Sequence, residues 1–253
     1  MKCPKYDALR QTVEGNVRYS FSIMGPDRLA FFVPSETKLK LNIFGVPVLS
    51  SIFEIAMDSC PDARTYTYIN GDILPKDNFL ETVEAVSNIM EKKDFLIVGR
   101  RTNVNWSPDK SVRSEGFDFD REFMSGILFR PFAQDYFVVT KGAIQWSEIP
   151  TFVVGRAPFD NWLVNHVYNK QNVALVDATK TISIIHQTDD DGVWSHGGSI
   201  VKSADDSNFN WQWTNKEELQ HVKVNNGQFE TQWEDGKVIL YSKQDRQQVK
   251  LLE

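Results

Sequence analysis

The early chain is patterned with a period of two. Val17, Tyr19, Phe21 and Ile23 are apolar while Arg18, Ser20 and Ser22 are polar, the spacing of a half-buried strand. Gly25-Pro26-Asp27 punctuates that run, and the short apolar stretch LAFFV follows it. Leu39, Leu41 and Ile43 alternate again and predict a further strand. The period then lengthens. Val48, Leu49, Ile52, Phe53, Ile55 and Ala56 form a helical stripe, and Pro47 suits the first turn of that helix.

Strand-like and helix-like runs alternate from there on. TYTYI predicts a strand that breaks at Asn70-Gly71-Asp72. Asp77 is placed to cap a helix whose apolar face carries Phe79, Leu80, Val83, Val86, Ile89 and Met90. DFLIVGRR is a compact apolar strand ending on two arginines, and the polar stretch TNVNWSPDKSVRSEGFDFD predicts a long surface loop. DYFVVTKGAI reads as strand then turn, FDNWLVNHVYN as a helix starting near Asp160, and VALVDAT and TISIIHQ as two strands. From about Thr188 aliphatic residues thin out and isolated tryptophans appear. GQFETQWEDGKVILYSK then predicts a hairpin turning at Asp235-Gly236. The expected fold class is α/β with a largely parallel sheet, comprising a domain over residues 1–187 and a β-rich or irregular extension over 188–253 packed on it.

Composition narrows the picture. At 253 residues and 41% hydrophobic content the chain can bury a sizeable core. A net charge of −6 argues against wholesale binding to nucleic acid or anionic membranes and leaves room for a local basic pocket. No run reaches the roughly 18 apolar residues of a membrane span. Cys3 and Cys60 form neither a disulfide framework nor a metal cluster and are expected as reduced thiols. MKCPKYDALRQTVEGN lacks the apolar core of a signal peptide. These features point to the cytoplasm, with the secretory pathway open if the chain is a fragment.

In an open α/β sheet, ligands sit beyond the carboxyl ends of the strands. Asp72, Arg100 with Arg101, and His186 all fall at such ends. A carboxylate and an imidazole suit a divalent metal, and arginine suits phosphate oxygens. Each has a plainer reading as well. Asp after Asn-Gly is common in turns, strand-end arginines are usually solvated, and a histidine in an apolar strand is often a core residue. Asp160 suits a helix N-terminus whatever its function, and could equally act as a base or bind sugar hydroxyls. Asp135 could do similar work or merely open a strand. Trp162, one turn into the same helix, could stack on a sugar or fill the core, and the core is the expectation.

The blocks TYTYINGDILPKDNFLETVEAV, FLIVGRRTNVNW, DYFVVTKGAIQWSEIPTFVVGRAPFDNWLV and VALVDATKTISIIHQ resemble, in that order, those of a little-characterised group of nucleotide-diphospho-sugar transferase-like proteins with a GT-A-type fold. The resemblance covers roughly residues 39–190. It implies a glycosyltransferase using a nucleoside-diphosphate sugar, an unknown hydroxyl acceptor (a glycan or small molecule), and Mn2+ or Mg2+. It aligns Asn70-Gly71-Asp72 with an Asp-x-Asp-like motif, so that Asp72 faces the metal and Asn70 stands where a first aspartate often lies. It places His186 near the metal, Arg100 and Arg101 on phosphate, and Asp160 with Asp135 at the acceptor hydroxyl. The chain departs from the pattern after His186, where TDDDG replaces a His-x-Tyr continuation. It departs again over the first forty-odd residues, which predict hairpin-like strands where a βαβ unit is expected.

A catalytically inactive carbohydrate- or protein-binding module is the alternative, motivated by that front and by Trp194, Trp211, Trp213 and Trp233. Nucleotidyl transfer fits less well, because no Gly-rich phosphate loop follows the first strand.

Overall fold

A computed structural model describes residues 19–25, 28–32, 39–70, 72–106, 116–188, 203–219, 223–245 and 247–249, with backbone only for the first two segments. The chain folds as a mixed sheet flanked by helices. The principal sheet runs β13-β12-β11-β9-β5-β8-β3-β1-β2. Its strands are β1 (Tyr19–Gly25), β2 (Arg28–Phe32), β3 (Thr65–Asn70), β5 (Asp94–Val98), β8 (Tyr136–Thr140), β9 (Val173–Asp177), β11 (Phe229–Glu234), β12 (Lys237–Ser242) and β13 (Gln247–Gln248). A second sheet, ordered β4-β10-β6-β7, is built from β4 (Ile73–Pro75), β6 (Thr102–Asn105), β7 (Ile127–Leu128) and β10 (Ile184–Thr188).

Burial on both faces explains the unbroken apolar runs at the centre, since a strand covered by helices on each side needs no polar alternation. Tyr66, Tyr68, Leu96, Val98, Phe137, Val139, Val173 and Leu175 face one layer. That layer holds α1 (Leu49–Ser59) and α4 (Phe159–Tyr168). Phe95, Ile97, Tyr136, Val138, Ala174 and Val176 face the other, against α2 (Asn78–Ile89). α3 (Phe119–Ser125) packs Phe119 and Phe123 on Val104, Trp106 and Ile185 of the second sheet and its flank. Two short helices, α5 (Ala204–Ser207) and α6 (Lys216–Leu219), lie in the tail.

Four expectations change. The sheet is not largely parallel, because among the described strands only β5–β9, β9–β11 and β6–β10 run parallel. β8 enters antiparallel between β3 and β5, and antiparallel hairpins finish both edges. An alternation of strands and helices does not reveal a strand that reverses after a short excursion. Leu39 to Ile43 is a turn, not a strand. The Asn42 side-chain oxygen accepts from the backbone N–H of Phe44 at 3.0 Å and Val46 at 2.9 Å, and Gly45 takes φ 79°. Asp77 precedes α2 without capping it, because its own dihedrals are already helical and its carboxylate accepts no cap bond. Cys60 is fully buried and disulfide-bonded, not a reduced thiol.

The long polar stretch after Arg101 opens as β6 and closes as α3, where Asp118 accepts from the N–H groups of Asp120 and Arg121 at 3.0 and 3.2 Å. Residues 107–115 lie outside the described segments. In the tail, β11 joins β9 in parallel and turns into β12 at Asp235 (φ 47°) and Gly236 (φ 72°), the primed turn geometry that Asp-Gly favours.

One buried charge pair ties the tail to the loop before α4. The Nε and one terminal nitrogen of Arg156 donate to the two carboxylate oxygens of Asp206, each at 2.8 Å, with the side chains 2% and 0% exposed. Asn210 completes the seam by accepting from Val153 N–H at 2.8 Å and donating to the Val153 carbonyl at 2.8 Å. Removing one partner breaks a buried charge pair held by two hydrogen bonds. Asp206→Ala is therefore expected to cost about 3–5 kcal/mol in urea unfolding, against less than about 1 kcal/mol for the exposed pair variant Glu54→Ala. Equal small losses for both variants would show that the seam is solvated.

Candidate functional site

The direction of the strands decides where the chemistry gathers. β3, β5 and β9 share one direction and β8 opposes them, so the ends of the first three and the start of β8 meet at a single edge. Asn70 ends β3, Arg100 and Arg101 follow β5, and Asp135 precedes β8. The last rungs of the ladder pair Ile69 with Tyr136 and send Asn70 N–H to the Asp135 carbonyl at 2.8 Å. Asn70 and Asp135 are thereby set side by side.

Their side chains form a network. Asn70 Nδ2 donates to Asp135 Oδ1 at 2.9 Å, and its own oxygen accepts from the Tyr68 hydroxyl at 2.7 Å. One terminal nitrogen of Arg101 reaches both Asp135 oxygens, at 2.7 and 2.8 Å, while its Nε donates to Asn103 Oδ1 at 3.0 Å. The Arg101 guanidinium lies 4.4 Å from the centre of the Phe129 ring. Arg101 and Asp135 are 12% and 6% exposed, so this is a sheltered ion pair. Arg100 turns the other way and donates its Nε to the Phe129 carbonyl at 2.7 Å.

Asp72 and His186 meet although 114 positions separate them. β10 pairs His186 with Ile73 of β4 on one side and with Asn103 of β6 on the other. This brings His186 Nε2 to 3.1 Å from Asp72 Oδ2. The second sheet thus carries the imidazole to the turn that leaves β3. Two atoms of the pair, Asp72 Oδ1 and His186 Nδ1, are buried without a hydrogen-bond partner.

Asp160 sits in the first turn of α4, behind a cis Ala157–Pro158 bond. Its Oδ2 accepts from Gln134 N–H at 3.4 Å, next to Asp135 in sequence. Burial pushes its carboxyl up to about 6, and the Asp135 charge adds to that rise while backbone N–H groups of Asn161 and Gln134 oppose it. Trp162 is half-buried against the core, its ring 4.8 Å from Phe152 and stacked at 4.6 Å on His166.

Asn70, Arg101 and Asp135 are therefore joined directly, Asp160 abuts them through Gln134, and Asp72 with His186 forms an adjacent pair. The sequence reading missed Tyr68, Asn103, Phe129 and Gln134, which hold the named groups in place. Only the period of β3, which puts Tyr68 on the same face as Asn70, could have pointed to one of them. Of the tail tryptophans, Trp213 and Trp233 are partly exposed at 43% and 37%, Trp211 is half-buried, and Trp194 lies outside the described residues.

A depression of about 410 Å³ opens at the opposite edge, lined by residues including Arg64, Lys93, Asp94, Lys141 and Gly142. Two of its cations are held by main-chain carbonyls: Arg64 donates to those of Ser87 and Met90, and Lys141 to that of Pro61 at 2.7 Å, while the Lys93 ammonium lies 5.1 Å from the centre of the Phe229 ring. No family model, curated protein or solved structure matches the chain.

The Asp160 carboxyl titrates higher in the folded chain than its ordinary value of 3.8, so folding favours its protonated form. Its contribution to stability is full below about pH 4 and is lost as pH rises through about 6. Asp160→Asn should remove that loss and gain on the order of 1–2 kcal/mol over the wild type at pH 8, with little difference at pH 4. Paired denaturant titrations at the two pH values measure this. A variant less stable at pH 8 than at pH 4, relative to wild type, contradicts the assignment.

Proposed function

We propose that the chain is a glycosyltransferase that moves a sugar from a nucleoside-diphosphate sugar to a hydroxyl acceptor with the help of Mn2+ or Mg2+. The observation that carries this reading is the Asp72–His186 pair, 3.1 Å apart at the edge where three strands end, with Asp72 Oδ1 not engaged by the imidazole. Among the described residues no group of three or more His, Cys, Asp or Glu side chains is arranged to hold a metal ion by itself. A two-donor set still fits, because magnesium is commonly held by one or two protein ligands with substrate phosphates and water supplying the rest. Bound there, the cation would neutralise charge on the diphosphate leaving group.

The residues of the chain divide the remaining work. Asp160, with a carboxyl near 6, takes the proton of the acceptor hydroxyl as a general base at neutral pH. Arg100 spends only its Nε on Phe129 among the described residues, which leaves its terminal nitrogens to meet phosphate. Arg101 differs. Its charge is balanced by Asp135, so the pair acts as a fixed frame, and neither partner serves as a free cation or a free base.

That neutralised pair also favours a second reading, a carbohydrate- or protein-binding module without turnover. Glycan binding that survives Asp72→Ala, with no sugar-nucleotide hydrolysis, would select it.

Calorimetric titration with UDP- and GDP-sugars, with and without manganese, separates the readings. Binding is expected only with manganese, and Asp72→Asn and His186→Ala should each weaken it at least about tenfold. Absence of heat with every nucleotide removes the transferase. Where turnover is found, Asp160→Asn should lower kcat by about 100-fold or more, and the wild-type rate should rise with pH through about 6.

A further inference from the structure

Large apolar side chains exposed to solvent are not scattered evenly. Among the described residues nine are notably exposed, and four of them, Met124 (80%), Ile127 (77%), Leu128 (45%) and Phe132 (45%), fall within residues 124–132. They belong to one built feature: the end of α3, the edge strand β7 and the turn after it. Phe119 and Phe123 anchor α3 to the second sheet, leaving Met124 outside. β7 is held by β6 through Thr102–Leu128 and Asn103–Ile127, with Phe129 N–H donating to the Arg101 carbonyl at 2.8 Å. Val224 N–H fixes the Pro131 carbonyl at 3.1 Å. Both residues of β7 are exposed although their side chains leave opposite faces of the strand. The feature is thus a rigid, protruding lip, not a groove.

Its charge is unlike that of the rest of the chain. Between Glu122 and Asp135 there is no acidic residue, although the chain holds 34 Asp and Glu and carries −6 overall. Exposed Arg130 sits within the lip and exposed Arg121 on its flank, beside Glu122 at 3.6 Å. Lys223 places its ammonium 5.0 Å from the centre of the Phe132 ring. An apolar lip whose residues 123–132 carry Arg130 and no carboxylate, with the Lys223 ammonium at the Phe132 ring, matches a lipid interface, where aliphatic and aromatic groups enter the acyl boundary and cations meet anionic headgroups. An apolar patch of this kind marks an interaction surface.

We propose that the lip formed by Met124, Ile127, Leu128 and Phe132, with Arg130 and Lys223, docks the protein on an anionic lipid surface. Docking is peripheral, since among the described residues no helix is long and apolar enough to cross a membrane. The lip adjoins the candidate site directly, because Phe129 both accepts from Arg100 and lies beneath Arg101. The docking proposal stands apart from the transferase reading, and its test uses no nucleotide.

The test is sedimentation of the full chain with phosphatidylcholine vesicles, with and without about 30% phosphatidylglycerol, at low and high salt. Binding is expected to the anionic vesicles only and to weaken with salt. Ile127→Asp should reduce it by about tenfold or more, and Arg130→Ala by about fivefold. Both side chains are exposed, and circular dichroism confirms that the variants fold. Absence of binding to anionic vesicles overturns the proposal, as does binding that Ile127→Asp leaves unchanged. Concentration-dependent dimers that Ile127→Asp abolishes, without vesicle binding, would assign the lip to a second copy of the chain and overturn it equally.

Discussion

The backbone ladder that seats β8 between β3 and β5 governs everything at the candidate site. Because β8 runs against its neighbours, its first residues arrive where theirs end, and a single rung sets Asp135 beside Asn70. A parallel strand at this place would have carried Asp135 to the far edge, a strand length away. The second sheet repeats the device with β10 antiparallel to β4: His186 pairs with Ile73, and the imidazole reaches the carboxylate one residue earlier in the chain. Hydrogen bonds between main chains, indifferent to side-chain identity, thus gather the polar groups.

Electrostatics then divides those groups into different roles. Asp135 is sheltered from solvent, and Arg101 supplies its counter-ion. The pair in turn shapes Asp160, whose carboxyl feels the Asp135 charge in addition to its own burial. Three carboxylates at one edge therefore behave differently: one paired with a guanidinium, one raised toward neutrality, and one facing an imidazole. Such separation is what acid–base chemistry at a single site requires.

Much of this was legible in the sequence. The apolar runs at Phe95–Val98, Phe137–Val139 and Val173–Val176 announced central strands, and the strand ends named Asp72, Arg100 and Arg101; His186, expected at a strand end, lies in the middle of β10, and Asn70 entered through the family resemblance. Strand direction was not legible, since an apolar run reads the same either way, and the sheet proved far less parallel than expected. Nor could spacing reveal that Arg101 would choose Asp135 rather than remain free for phosphate, because that depends on a rung between strands 65 positions apart. The turn at Asn42 misled for a local reason: a side-chain oxygen competing for two backbone N–H groups overrode an alternation that reads as a strand. The lip at 124–132 escaped notice because its apolar residues resemble core until their exposure is seen.

The central claim is that Asp72 and His186 jointly receive a cation and the diphosphate it accompanies. A crystal structure of the protein soaked with manganese and a nucleoside diphosphate tests it most directly. The account predicts anomalous manganese density in contact with both side chains and phosphate oxygens beside it toward Arg100. Manganese bound away from this pair, or a nucleotide seated at the opposite edge near Arg64 and Lys93, would contradict it.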